Sequence, residues 1–210
     1  MSMKLYDFAP SPNSRKVRAV AYELGLPLDF VHVGLFQGES RAPAFLTKNP
    51  NGRVPVLEDG DLLLWESNAI IAYLGAGTPL VPTDPRGRAE VDRWTAWQLA
   101  HLGPATRMVA VERIVKKLTG QGEPDQAAIA AGTEEFGKLS AVLDRSLGNK
   151  EYLTGRLSVA DFALAAHYSI AESCGLDVAA HERVAAWLGR MLSRDSMKRA
   201  LADAQKVLAA

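Results

Sequence analysis

The hydrophobic period changes several times in the first third of the chain. Lys4 to Phe8 and Leu28 to Val33 read as short strands. Between them Val17, Val20, Ala21 and Leu24 recur at steps of three and four, the stripe of an amphipathic helix. Ser11-Pro12 opens that helix, with Ser as N-cap and Pro at the first helical position, and Gly25 ends it. Ala42 to Lys48 reads as a short helix stopped by Asn49-Pro50-Asn51-Gly52. Val54 to Leu57 and Leu62 to Trp65 read as two strands of a hairpin around Glu58-Asp59-Gly60-Asp61, and Glu66 to Leu74 as a helix. The order β-α-β-α-β-β-α predicts a mixed sheet with helices against it.

After this the pattern is helical throughout. Gly75 to Pro85, with Pro79, Pro82 and Pro85, reads as a linker. The division expected is a first domain over 1–76, a linker over 77–85 and an all-helical domain over 86–210. Trp94, Trp97, His101, Ala105 and Met108 lie on one face of a long helix, in which Pro104 predicts a kink. Phe136, Leu139, Leu143 and Leu147 form another stripe. Ser158-Val159-Ala160-Asp161 reads as a capping box opening a further helix, with Leu157 and Phe162 spaced as its hydrophobic staple. Val184, Trp187 and Met191 mark one more helix, and a last one is expected over Ser196 to Val207.

Composition narrows the class of partner. Apolar residues make up 48% of the 210, enough for a real core. Basic and acidic residues balance at 24 each, which argues against general affinity for nucleic acid or an anionic membrane. No segment approaches the roughly 20 apolar residues of a membrane helix, and the N-terminus does not read as a signal peptide. The single cysteine, Cys174, can form no internal disulfide, so a reducing, cytoplasmic setting is expected. It reads as an inert buried thiol without a basic neighbour. No His/Cys cluster has ligand spacing, and no metal is expected.

The order of elements is thioredoxin-like. Redox members of that fold carry Cys-Pro-x-Cys where the first strand meets the first helix; here the place reads Ser11-Pro12-Asn13-Ser14. With no thiol of its own there, the domain cannot cycle a disulfide, so a thiol must arrive with a substrate. A hydroxyl at a helix N-terminus can donate a hydrogen bond to it, and the helix end favours a thiolate.

Leu5-Tyr6-Asp7-Phe8-Ala9-Pro10-Ser11, the stretch from Asn49 to Gly60 containing Arg53-Val54-Pro55, and Leu64-Trp65-Glu66-Ser67-Asn68-Ala69-Ile70 together resemble the glutathione transferase family. The resemblance covers nearly the whole chain and is most like the serine-type classes (phi, theta and zeta). It implies a glutathione-binding thioredoxin-like domain, a helical domain for a small hydrophobic electrophile, and a homodimer. It makes Ser11 the catalytic hydroxyl and Pro55 a cis-proline that presents the Val54 backbone to the cysteinyl group. Ser67 and the helix N-terminus would take the γ-glutamyl carboxylate, and Glu66 its ammonium. Arg53 would reach the peptide and Arg41 the glycyl carboxylate, although Ser40-Arg41 departs from the His-Lys of the plant class. Phe8, Phe36, Met108 and Val111 are expected to line the electrophile site.

Plainer readings stand beside these. By itself Ser11 is an N-cap; its convergence with Pro55 and Glu66-Ser67 turns the reading toward a thiol contact. Ser14 is the rival hydroxyl. Tyr6 reads as strand packing, Asp161 as a cap, His101 as a helix-surface or core histidine. Ala9-Pro10-Ser11-Pro12-Asn13 is also similar to a bacterial branch with disulfide-bond reductase activity, in which Asn13 helps position the sulfur. A non-catalytic carrier or adaptor on the same fold is a further alternative.

Overall fold

The computed structural model describes residues 2–209. Its chain divides into two compact units: the chain up to Val81 together with Ser193 onward, and Pro82–Leu192.

The first unit is built on a four-stranded sheet in the order β2-β1-β3-β4, with β1 at Met3–Asp7, β2 at Leu28–His32, β3 at Val56–Asp59 and β4 at Leu62–Trp65. β1 and β2 pair parallel, through a crossover made by α1 (Pro12–Glu23); β3 pairs antiparallel with β1 and with β4. The alternation in β1 and the stripe of α1 meet in a core where Leu5, Val17, Val20, Ala21, Val56 and Leu57 are inaccessible. Ile70 and Ile71 of α3 (Ser67–Gly75) join it, and α3 packs on α1.

Three expected elements shift. The helix expected at Ala42–Lys48 is a 3-10 turn at Glu39–Arg41 followed by a four-residue α2 at Pro43–Leu46. The strand expected from Val54 starts at Val56, because Pro55 has no N–H for a ladder and follows a cis peptide bond. The hairpin loop is accordingly tighter, with Asp59 opposite Leu62 across Gly60-Asp61 and Gly60 at φ 61°.

The last helix of the chain, α10 (Asp195–Ala209), belongs to this unit and packs on α1. Arg18 of α1 donates to both carboxylate oxygens of fully buried Asp7 (2.6 and 2.8 Å) and to Asp203 of α10 (2.9 Å). Glu23 accepts bonds from the Arg194 guanidinium and from the Ser196 hydroxyl (2.6 Å).

The second unit is helical. α4 (Pro85–Trp97), α5 (Gly103–Ala110) and α6 (Lys116–Thr119) run on through two π-helical turns, Gln98–Leu102 and Val111–Val115. The first π turn is the form taken by the expected kink at Pro104. Proline has no N–H to donate and its ring crowds the carbonyl four residues back. The widened turn absorbs both effects, with the Gly103 N–H bonded to the Gln98 carbonyl. A Cβ at Gly103 would stand 3.1 Å from the Gln98 carbonyl oxygen, so a side chain there requires the turn to give by a few tenths of an ångström. The second π turn contains neither Pro nor Gly, and nothing local explains it.

α7 (Gln126–Leu147) packs on α5, and α9 (Glu182–Ser193) supplies Trp187 to the core. All ten residues of α8 (Val159–Tyr168) are buried. A helix buried on every side must satisfy its polar groups internally. Asp161 does so for its N-terminus: its carboxylate accepts from the Leu153 and Ser158 N–H groups, the Ser158 hydroxyl and Trp187 Nε1, at 2.9–3.0 Å. The expected capping box is thus present and reaches beyond its own helix. Among the described residues no helix is long and apolar enough to cross a membrane.

Candidate functional site

The first unit gathers its functional candidates around the N-termini of α1 and α3. Ser11 is the N-cap of α1, at φ −68° and ψ 128°, and its backbone N–H bonds the Phe8 carbonyl (2.8 Å). Its half-buried hydroxyl makes no capping bond to the helix it precedes. The plain N-cap reading of the side chain is therefore not what the geometry gives. Ser14 differs: it is inaccessible, and its hydroxyl accepts the Phe8 N–H (3.3 Å). Between the two hydroxyls, Ser11 alone stands at the helix mouth.

Tyr6 is occupied elsewhere. Its hydroxyl donates to Glu58 (2.9 Å), beside which Lys48 Nζ also bonds (2.9 Å) and lies 4.5 Å from the Tyr6 ring centre. The bonds from Lys48, Tyr6 and Lys4 hold the Glu58 carboxyl down at about 2. The packing reading of Tyr6 agrees with this.

Glu66 and Ser67 open α3. Glu66 is the N-cap and the one non-glycine residue with positive φ (70°) among those described, a conformation that costs an ordinary side chain about 1–3 kcal/mol. That strain sits at the helix mouth, on an exposed side chain. Ser67, 9% accessible, donates its hydroxyl to Asn13 Oδ1 (3.4 Å), so the α1 and α3 N-termini are tied together through two of the expected site residues.

The Val54–Pro55 bond is cis, as expected. The loop before it is organised by Asn49, which sequence reasoning treated only as a helix stop. Buried Asn49 donates to the Arg53 carbonyl (2.7 Å) and accepts from the Asn51 N–H (3.0 Å). A polar residue with both ends of its amide engaged fixes the approach to Val54. Arg41 reaches the same loop, donating to the Asn51 carbonyl (3.2 Å). Gly52, at φ 59°, is required there, since a Cβ would meet the Arg41 guanidinium and, at 2.9 Å, the Ser40 carbonyl. Arg53 points into solvent while its carbonyl is held by Asn49.

Of the four residues expected at an electrophile site, Phe8 and Phe36 come together edge to face, 5.3 Å between ring centres. Phe8 is buried and Phe36 is 43% exposed, so the pair has an open face. In the second unit Met108 is exposed on α5, and Val111 is half-buried at the start of the second π turn. His101 is exposed, 6.2 Å from the Trp97 ring, in accord with a helix-surface histidine.

Cys174 is fully buried, and desolvation pushes its thiol up to about 11 against the pull of Arg113. It does have a basic neighbour, contrary to the sequence expectation: the Arg113 guanidinium bonds the Cys174 carbonyl (2.5 Å). Burial outweighs that charge, so the thiol is inert as expected.

Residues 1–76 match the family model of the glutathione S-transferase N-terminal domain. The chain is 31% identical to a glutathione S-transferase of Hyoscyamus muticus, over 96% of this chain and 98% of that one. It is 34% identical to the glutathione S-transferase GstB of Escherichia coli K12, over 90% and 92%. Among solved structures it resembles the theta-class glutathione S-transferase of Xanthomonas axonopodis pv. citri with glutathione bound, at a TM-score of 0.88, 32% identity, and coverage of 95% and 96%. A thioredoxin-like unit with a serine at the helix mouth, a cis-proline loop and a helical second unit is thus matched along nearly its full length by enzymes of one kind: the chain belongs to the glutathione S-transferase family.

Proposed function

We propose that this glutathione transferase ionises the thiol of bound glutathione through the Ser11 hydroxyl and delivers the thiolate to a small hydrophobic electrophile. The observation that carries the reading is the Ser11 hydroxyl, at the mouth of α1 and not spent on capping it, while Ser14 is buried and engaged. A free thiol titrates near 8.5, and lowering it by about two units takes about 2.7 kcal/mol of preferential thiolate stabilisation. One hydrogen bond to the charged sulfur together with the α1 N-terminus is of that size. The thiol proton leaves to solvent. The sulfur lone pair then forms a bond to carbon as a leaving group departs, or to a peroxide oxygen as the O–O bond breaks and the alkoxide leaves and takes a proton, or to an activated double bond whose far carbon takes a proton.

The rest of the site positions the tripeptide. The Val54 N–H and C=O, turned by cis-Pro55, would pair with the cysteinyl group like one rung of an antiparallel ladder. Ser67 and the α3 N–H groups would hold the γ-glutamyl carboxylate and Glu66 its ammonium. Arg41, over the Asn51 carbonyl, is placed to meet the glycyl carboxylate, and Arg53 the peptide. Asn13 supports Ser67. Phe8 and Phe36 on the first unit, and Met108 and Val111 on the second, are each proposed as electrophile-contacting residues. Turnover of an aryl chloride, a peroxide and a mixed disulfide with glutathione tests the reading; reduction of the disulfide alone would contradict it.

Ser67→Ala is expected to weaken glutathione binding roughly tenfold or more, since the hydroxyl lost faces a charged carboxylate and such a bond contributes about 1.5–3 kcal/mol, while the backbone N–H groups remain. Calorimetry with glutathione checks this, and unchanged affinity would overturn the γ-glutamyl assignment.

We place the enzyme in the cytoplasm as a homodimer. Leu63 and Trp65 on edge strand β4 and Tyr73 on α3 expose 40–42% of their surface, a grouping that favours a partner. The contact proposed joins residues 66–74 of one protomer to residues 86–108 of the other. Light scattering at micromolar concentration should give the mass of two chains, and Tyr73→Asp, within that contact, should shift it toward one. A wild-type monomer would rule the dimer out.

A further inference from the structure

Lys16 lies on the second turn of α1 with its side chain only 1% accessible, an unusual place for an ammonium group. It is not stranded. Nζ donates to Asn68 Oδ1 at 2.8 Å, and Asn68 is the second residue of α3, next to Ser67. Glu66, the N-cap of the same helix, is a negative charge that favours the ammonium form of Lys16. Charged groups on the other elements around α1 are engaged differently. Asp7 of β1 and Asp203 of α10 are bound by Arg18, and Glu23 by Arg194 and Ser196. α3 itself carries no ionisable group except Tyr73, whose hydroxyl bonds Asp59.

We propose that Lys16 is a positioning residue for the γ-glutamyl end of glutathione, its buried ammonium holding Asn68 and balancing Glu66 so that the mouth of α3 is set to receive the carboxylate. The proposal rests on the reading of Glu66–Ser67 as the γ-glutamyl subsite. Lys16 touches no part of the substrate in this scheme. It acts from behind the helix mouth, adding a positive charge where the first N–H groups of α3 already favour an anion.

The choice of lysine has a consequence that arginine would not. Burial pulls the Lys16 ammonium down to about 7, against the opposing attraction of Glu66. Below that pH the group is charged and the helix mouth has its full potential; above it the charge is lost. Binding of the γ-glutamyl end therefore weakens as pH rises through neutrality. Because the two equilibria are linked, the bound carboxylate in turn favours the charged lysine.

The test uses S-methylglutathione, which has no thiol to titrate, measured by calorimetry on the intact protein at about pH 6 and about pH 8.5. For the wild type the dissociation constant should rise roughly tenfold between the two. Lys16→Arg, charged at both values, should hold it nearly level. Lys16→Met should bind about tenfold more weakly than wild type at the lower pH and show no further step. Titration of the ligand's own amine is common to all three and cancels. A thermal melt checks that each variant folds; Asn68→Ala, which removes the acceptor and leaves the lysine, should reproduce the weakening if Lys16→Met does not fold. Binding by Lys16→Met or Asn68→Ala within twofold of wild type, or a wild-type step in Lys16→Arg, overturns the proposal. Ser67→Ala is measured alongside. If it weakens binding while the Lys16 and Asn68 variants do not, the role of Lys16 falls and the subsite stands. If Ser67→Ala is silent, the subsite reading falls first.

Discussion

Ser11→Ala is expected to lose turnover roughly 10- to 150-fold while its affinity for glutathione stays within about twofold. The hydroxyl bonds the sulfur and not the peptide scaffold, so its loss is felt where charge develops. One hydrogen bond to a charged group contributes about 1.5–3 kcal/mol, and this converts directly to that range of rate. The pH–rate profile should move to higher pH, because the bound thiol needs a stronger base-side driving force to ionise. Thiolate absorbance of the glutathione complex, followed against pH, measures the same shift without turnover. Two controls separate the hydroxyls and the alternatives. Ser14→Ala removes the acceptor of the Phe8 N–H and should lower stability without moving the pH profile. Asn13→Ala should act through Ser67, on affinity and not on the ionisation. A silent Ser11→Ala, with disulfide reduction abolished in Asn13→Ala, would show the mechanism to be that of the disulfide-reducing branch.

The sequence already ranks Ser11 ahead of Ser14, through its convergence with Pro55 and Glu66-Ser67; the structure adds how each hydroxyl is engaged. A sequence shows that Ser11 precedes a helix and that Ser14 lies within it, and both facts suit a cap. It does not show that the Ser14 hydroxyl is taken by the Phe8 N–H, or that Ser11, though at the N-cap, makes no side-chain capping bond. The elements that were legible are those with strong periods and local punctuation: β1, α1 with Ser11-Pro12, β4, α7, and the capping box of α8. The boundaries that moved lie where backbone conformation departs from what side-chain pattern reports, at Pro55 and at Ala42-Pro43. The π turn at Gln98–Leu102 was legible as a disturbance, from Pro104, but not in kind. Contacts distant in sequence left no local sign. Nothing near Glu23 announces Arg194, 171 residues on, and nothing near Lys16 announces Asn68. Asn49 was in plain view within its Asn-Pro-Asn-Gly run, yet its helix-stopping role hid its second one, bracing the cis-proline loop.

The largest loss of stability is expected from Asp161, which takes no part in the chemistry. Its carboxylate is the common acceptor for four donors from three places: the segment before α8, the α8 N-cap, and the Trp187 indole of α9. All of this is buried; Asp161, Ser158 and Leu153 are inaccessible and Trp187 is 1% accessible. Asp161→Ala leaves those donors without an acceptor where water cannot replace it. Each unsatisfied buried group costs about 1–3 kcal/mol, and removing one member of a buried charged network costs about 3–5 kcal/mol in practice, since neighbours relax in part. Against a total stability of about 5–15 kcal/mol, that brings the fold close to its threshold. Asp161→Asn keeps the shape and one acceptor oxygen but turns an amide N–H toward donors, so it should lie between alanine and wild type. Denaturant unfolding at a fixed protein concentration, which keeps any dimer contribution constant, gives the difference. At low temperature, where the variant is still folded, its glutathione affinity and pH–rate profile should match the wild type, because the first unit carries the thiol site. A loss below about 1 kcal/mol in Asp161→Ala would mean that water or rearranged side chains satisfy the four donors, and that α8 is held by apolar packing alone.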